Sequence, residues 1–262
     1  KRLSPKTADL VGAGYRAMRL DLATWEEVDA YLRDRHGIIV PTGSTEQHGP
    51  MGLIGTDALC AEHIAQAAGD RAKAYVAPTL AYTPAPFNMS FAGTISISEP
   101  VFENLVSEIV TGLIHHGFTL IYFLNGHGAN LAPLHRVAEN FSTTEIVVKS
   151  WWEFEAVQML RQDYYGDWEG MHATPSEVAI TQASHRSLPP GNAAQPPEKL
   201  STAYIRDHAG DRHGPPDEHR ARFPDGRVGS HSALANPIHG KAIIDAAVSA
   251  LAEDFLTHAG AA

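Results

Sequence analysis

Between Gly43 and Asp57 the chain reads Gly-Ser-Thr-Glu-Gln-His-Gly-Pro-Met-Gly-Leu-Ile-Gly-Thr-Asp, which sets Glu46, His48 and Asp57 on one glycine-rich loop. Two carboxylates and an imidazole are oxygen and nitrogen ligands suited to zinc, manganese or iron. Glu46 and His48 are two residues apart, so an extended backbone points both the same way. Glycines 49, 52 and 55 let the loop curl Asp57 back toward them. His127 stands in a second such segment, Asn125-Gly126-His127-Gly128-Ala129-Asn130, where its flanking glycines predict a tight turn of close approach. A third group, His172 and Glu177, lies five residues apart where a loop meets a helix. Taken alone, Glu177 reads as a first-turn helix acid and His172 as a surface histidine. Packed together, however, the acids need a counter-charge, because each uncompensated buried charge costs several kcal/mol. A pair of divalent ions about 3.5–4 Å apart supplies it, sharing a carboxylate and lowering the pKa of a water between them to about 7.

These groups converge only if the elements before them bring them to one edge. Gly37-Ile38-Ile39-Val40 reads as a buried strand ahead of the first loop. Phe118 to Leu124 is a nearly continuous apolar run ahead of His127, as a central parallel strand requires. Shorter strands are predicted over 74–77 and 145–149. Helices are predicted from Thr24, an N-cap, through Leu32; from Asp57 to a stop at Gly69; and from Ser98-Glu99-Pro100 to Gly117, burying Val101, Leu105, Ile109 and Leu113. Further helices are expected over 131–141, from Pro175, and over 239–256. Residues 188–197 read as a proline-rich loop. Residues 206–236 read as irregular, with His208, His213, His219 and His231 mostly solvated. Strand–helix alternation at this spacing predicts an α/β fold of three layers, a mostly parallel sheet flanked by helices. Ligands then bind beyond the carboxyl ends of the strands. No internal repeat or clean linker interrupts the chain, so one domain over 1–262 is expected.

Composition narrows the partners. The 262 residues carry a formal net charge of −10, which disfavours nucleic acid. No run of 18 apolar residues suggests a membrane span. The lone cysteine, Cys60, cannot form an internal disulfide and suits a reducing compartment, so a cytoplasmic location is expected. Lys1 to Leu10 lack the apolar core of a secretory signal. Gly43-Ser44-Thr45-Glu46-Gln47 lacks the second glycine of a nucleophile elbow, leaving Ser44 a turn residue. Gly12-Ala13-Gly14 resembles part of a dinucleotide fingerprint, but no strand precedes it.

With these residues laid out, the chain resembles the creatininase (creatinine amidohydrolase) family. The resemblance rests on Gly43 to Pro50 and Gly55-Thr56-Asp57, on Gly93-Thr94-Ile95-Ser96, on Asn125 to Asn130 and on His172 to Glu177. Gly226 to Ala242 resembles the family's closing stretch more weakly. The resemblance implies a dinuclear metal amidohydrolase on a flavodoxin-like layered fold, assembled as a homo-oligomer, often a hexamer. Carried over by position, Glu46, Asp57 and His127 hold one ion, while His48 and the bridging Asp57 hold the other. His172 matches the residue that protonates the leaving nitrogen.

The chain departs from creatininase itself after the motif histidine. An aromatic residue and a metal-binding glutamate are replaced by Gly128 and Ala129, and Met51 replaces a polar residue. The glutamate's role then passes to Glu177, as in the family's Gly-Gly branch, and creatinine is disfavoured as substrate. Glu177 is thus expected both as ligand and within the catalytic group with His172. Trp152 and Gly128 are expected to line the substrate pocket, and Trp168 to close over a planar or ring-shaped substrate. The expected reaction is hydrolysis of a small cyclic amide or related C–N bond. Two alternatives keep the site, namely a linear formamide and a carbon–carbon bond in a cyclic polyol ketone. A third is a non-catalytic metal- or ligand-binding protein.

Overall fold

The computed structural model describes residues 18–261. Lys1 to Leu10 and Gly12-Ala13-Gly14 lie outside the described residues. Four parallel strands form one sheet: β1 (Gly37–Thr42), β2 (Tyr75–Val76), β3 (Leu120–Asn125) and β4 (Glu145–Ser150), in the order β2-β1-β3-β4. The helices are α1 (Trp25–Tyr31), α2 (Thr56–Ala72), α3 (Glu99–His116), α4 (Leu131–Ala138), α5 (Glu155–Tyr165), α6 (Pro175–Ser184), α7 (Thr202–Asp207), α8 (Pro216–Arg222) and α9 (Pro237–Ala261).

The period-two alternation of a strand sorts the core into two layers. Ile39, Leu120, Tyr122 and Leu124 face α2, α5, α6 and α9, meeting Ile64, Val157, Ile180 and Leu251. Ile38, Val40, Ile121 and Phe123 face α1, α3 and α4, meeting Val28, Phe102, Val106 and Leu134. Both faces of β1 and β3 are therefore covered, which explains why those strands read as unbroken apolar runs. The expected three-layer α/β architecture is the one observed.

Several boundaries differ from expectation. Helix α2 passes through Gly69 and ends at Ala72, with Lys73 left-handed at φ 56°. Gly69 serves contact instead, since a Cβ there would lie 2.4 Å from Val76 Cγ2 on β2. Helix α3 buries Phe102, Val106, Val110 and Leu113, whereas Val101 and Leu105 are exposed. Both stripes keep helical spacing, and the aromatic Phe102 decides between them by filling the space beneath the sheet. Helix α4 stops at Ala138 rather than Phe141. The stretch 206–236, read as irregular, contains α8, and its His213 and His219 side chains are buried rather than solvated.

Candidate metal centre

The loop after β1 begins with a close packing of backbone on backbone. A Cβ on Gly43 would lie 2.2 Å from the nitrogen of Ala58, so only glycine lets the strand end rest against the first turn of α2. That contact draws Asp57, in the first turn of α2, back toward Glu46 and His48. The end of β3 closes in the same way, since a Cβ on Gly126 would lie 2.4 Å from the carbonyl oxygen of Asp57. Strand register adds the rest: Thr42 pairs with Asn125, placing the loops that carry Glu46 and His127 side by side. Asn125 ties that edge together, with Oδ1 accepting from the Thr42 hydroxyl, the His127 amide and the Asn130 side chain.

Glu177 arrives by a different route. Thr174 caps α6 and forms a capping box with Glu177, whose carboxylate accepts from the Thr174 amide. This orients Glu177 back into the site, with Oε1 3.7 Å from His48 Nε2. Ala173, between His172 and the cap, is buried at φ 56°, a left-handed conformation that disfavours a non-glycine residue.

Each histidine is turned by a main-chain carbonyl, which can only accept a hydrogen bond. His48 Nδ1 donates to Glu46 O at 3.1 Å, His127 Nε2 to Pro84 O at 2.8 Å and His172 Nε2 to Gln47 O at 2.7 Å. The other nitrogen of each ring then faces carboxylates. His48 Nε2 lies 2.8 Å from Asp57 Oδ1; His127 Nδ1 lies 3.2 Å from Glu46 Oε1 and 3.1 Å from Asp57 Oδ2; His172 Nδ1 lies 3.5 Å from Glu46 Oε1. A main-chain carbonyl on the far ring nitrogen is the usual second sphere of a metal-ligating imidazole.

Potential ligand atoms fall into three groups, each within 4.8 Å: Glu46, Asp57 and His127; His48, Asp57 and Glu177; and Glu46, His48 and His172. All six residues are buried, and Asp57 belongs to the first two groups. Glu46 Oε1, His48 Nε2 and Asp57 Oδ2 make no hydrogen bond despite their close neighbours. Orphaned buried polar atoms cost about 1–3 kcal/mol each, so a cation fits the site on the protein's own geometry.

The electrostatics agree. Burial opposes the charge on His48, yet Asp57, with Glu177 and Glu46, outweighs it and raises the imidazole to about 10. His127 is likewise raised, burial being overcome by Glu46 and Asp57. Burial works against ionisation of Asp57, but His48 and His127 hold its carboxyl far below the usual range. Burial, reinforced by the charge on Asp57, pushes Glu177 up to about 8. His172 moves the other way, down to about 4, through burial and the neighbouring charge of His48.

A cavity of about 190 Å³ opens over Asp57, His127, His172 and Glu177. Trp152 and Gly128 line it, as does Trp151. Trp168 does not: its ring packs against His231, at 5.5 Å between centroids, and beneath Lys199 Nζ at 4.6 Å. That corrects its expected place over the substrate.

Sequence reasoning also passed over residues that complete the site. Asn88 Nδ2 donates to Glu46 Oε2 at 2.8 Å, and Gln47 Nε2 donates to Asn88 Oδ1. Asp211, left-handed at φ 54°, brings Oδ2 within 3.7 Å of His127 Nδ1 and accepts from the Ala129 amide. It occupies the space beside Gly128, where a Cβ would lie 2.3 Å from Oδ2. Burial opposes its charge, but the neighbouring imidazole of His213, 3.8 Å away, with His127 and His172, lowers its pKa. Arg161 of α5 lines the cavity as well. No spacing signals these residues, because each comes from a segment whose own pattern is a loop or an ordinary amphipathic helix.

The creatininase family profile, described as creatinine amidohydrolase, matches residues 21–255. Among curated proteins, the 3-dehydro-scyllo-inosose hydrolase of Thermotoga maritima is 27% identical over 139 residues, 52% of this chain and 44% of that protein. The mycofactocin precursor peptide peptidase of Mycolicibacterium smegmatis is 39% identical over 105 residues, 37% of this chain and 41% of that protein. The matches thus span less than half the length of these relatives. Among solved structures, a creatinine amidohydrolase (creatininase) superposes with a TM-score of 0.73 at 21% identity, covering 93% of this chain and 98% of that one. A manganese creatininase gives 0.72 at 20%, covering 93% and 99%. The family match takes in every ligand candidate from Glu46 to Glu177, and the chain belongs to the creatininase family.

Proposed function

We propose that this chain is a metal-dependent hydrolase of a small carbonyl compound, cleaving a C–N bond of a cyclic amide or a related group. The observation that carries the reading is Asp57, whose two oxygens serve two separate groups of buried ligands at the floor of one cavity. Glu46, Asp57 and His127 would hold one divalent ion, and His48, Asp57 and Glu177 a second. Zinc, manganese and iron all suit this donor set. When bound, such ions supply ionised water near neutral pH and polarise a carbonyl oxygen.

The chain's own residues do the rest. His172, neutral with Nε2 committed to Gln47 O, leaves Nδ1 unprotonated at the cavity, 3.5 Å from Glu46 Oε1. It would take a proton from the attacking water and return it to the leaving nitrogen, a base before it is an acid. Trp151 and Trp152, which line the cavity, would exclude water from the bound substrate. Gly128 and Ala129, where creatininase itself carries larger groups, leave room that Asp211 fills, which disfavours creatinine as the substrate.

A linear amide is the second reading, favoured by the peptidase relative. Cleavage of a carbon–carbon bond beside a ketone is the third, favoured by the inosose hydrolase relative. A purely structural ion is disfavoured by the cavity that opens directly over the ligands. Screening the zinc-, manganese- and iron-loaded protein against cyclic amides, formamides, short peptides and cyclic ketones tests the proposal. Turnover that requires metal and Asp57 supports it; turnover that survives both chelation and Asp57→Ala contradicts it.

A further inference from the structure

Arg161 stands out in a cavity otherwise built to hold cations. It is the only lysine or arginine among the lining residues, which include the acids Asp57, Glu177 and Asp211. A guanidinium contributes nothing to holding divalent ions and is repelled by them. Nor is it a loose surface group, since its side chain retains only 21% of its exposure. Its orientation is set from two sides. Nε donates to Glu169 Oε1 at 2.9 Å, and the guanidinium carbon lies 5.8 Å from the Trp151 ring centroid. Glu169 is itself held by the Ser176 hydroxyl at the start of α6. Among the described residues, Nη1 and Nη2 have no hydrogen-bond acceptor. A preorganised planar fork therefore borders the cavity with its terminal donors unused.

We propose that Arg161 binds a carboxylate on the substrate, so that the hydrolase acts on an amide or related carbonyl compound carrying a carboxylate a short distance from the bond it cleaves. This deepens the function proposed above and rests on it. A monoanion matches one guanidinium fork bidentately. A phosphate dianion would need further cations, and the cavity lining offers no other lysine or arginine. Trp151 and Trp152 wall the same cavity, suiting a short hydrocarbon or planar spacer between carbonyl and carboxylate. The cavity volume, about 190 Å³, limits the substrate to a small acid or the terminal part of a longer one.

Monohydroxamates of malonic, succinic and glutaric acid are the probes, each paired with its carboxamide analogue. The hydroxamate anchors on the metal centre and the far end reports on Arg161. Calorimetry on the manganese-loaded protein is expected to show at least one acid binding about tenfold or more tightly than its carboxamide twin, the scale of a charge-assisted hydrogen bond. Arg161→Met is expected to abolish that preference while leaving carboxamide binding within about threefold of wild type. A merely structural arginine would weaken both members of the pair alike. If Arg161→Met folds poorly, Arg161→Lys serves, because an ammonium keeps the charge but loses the fork, and the preference should fall. Equal binding of acid and carboxamide in every pair, or a preference that survives substitution, overturns the inference while leaving the metal centre standing. No hydroxamate binding by the metal-loaded protein would overturn the metal-centre reading and this inference with it.

Discussion

The residues of the site are specialised by what turns them rather than by type. His48, His127 and His172 are all buried, yet their carbonyl partners leave different nitrogens free: Nε2 in the first, Nδ1 in the other two. Asp57→Ala should remove both ions and with them all turnover, read by elemental analysis and by assay. His172→Ala should keep its metal while slowing turnover about 10²–10⁴-fold, the usual worth of a proton-transferring group. Metal loss in that variant would instead make His172 a ligand. Asn88→Ala, which removes the donor to Glu46 Oε2, should weaken metal affinity about 10–100-fold, as loss of a second-sphere partner does. Competition against a chelator measures it. The gathering of Glu46, His48, Asp57 and His127 at one edge was legible in sequence because they stand in two glycine-rich motifs. Asn88, Asp211 and Arg161 were not, because a loop asparagine or a helical arginine carries no positional signal until the chain is folded.

At the scale of elements, glycine at strand ends is what makes the site compact. Gly43→Ala forces the end of β1 away from α2 and should destabilise the protein by about 1–3 kcal/mol, as overpacking does. Thermal unfolding would show a melting temperature several degrees lower. The shift should also separate Asp57 from Glu46 and reduce metal retention, a consequence that unrelated surface substitutions lack. The strands β1 and β3 were readable from their apolar runs, and α3 from its Ser-Glu-Pro start. Its buried face was not, since Val101, Leu105 and Ile109 make as good a stripe as Phe102, Val106 and Val110 until the sheet presents its own contour. Trp168 was unreadable for a related reason: proximity to His172 in sequence suggested the cavity, but its ring packs against His231 and Lys199.

For the whole molecule, protons and metal ions compete for one cluster of buried acids. In the metal-free protein His48 is raised to about 10, above its ordinary 6.5, so its stabilising charge is fully present below that ordinary value. That contribution is lost as pH rises through about 10. Glu177, raised to about 8, is favoured protonated in the fold, so its ionisation destabilises the same protein between about 4.5 and 8. Chelator-treated protein should therefore lose thermal stability as pH rises from about 4.5 through about 10, and loading with metal should flatten that dependence and release protons. Calorimetry in buffers of different ionisation enthalpy counts the protons. At 100 times the dissociation constant, metal should add about 2.7 kcal/mol of stability. The most direct test of the central claim is anomalous X-ray scattering from crystals of the manganese- or zinc-loaded protein. Two adjacent peaks are expected, one among Glu46, Asp57 and His127 and the other among His48, Asp57 and Glu177. Peaks elsewhere, or none in protein that still hydrolyses its substrate, would contradict the account.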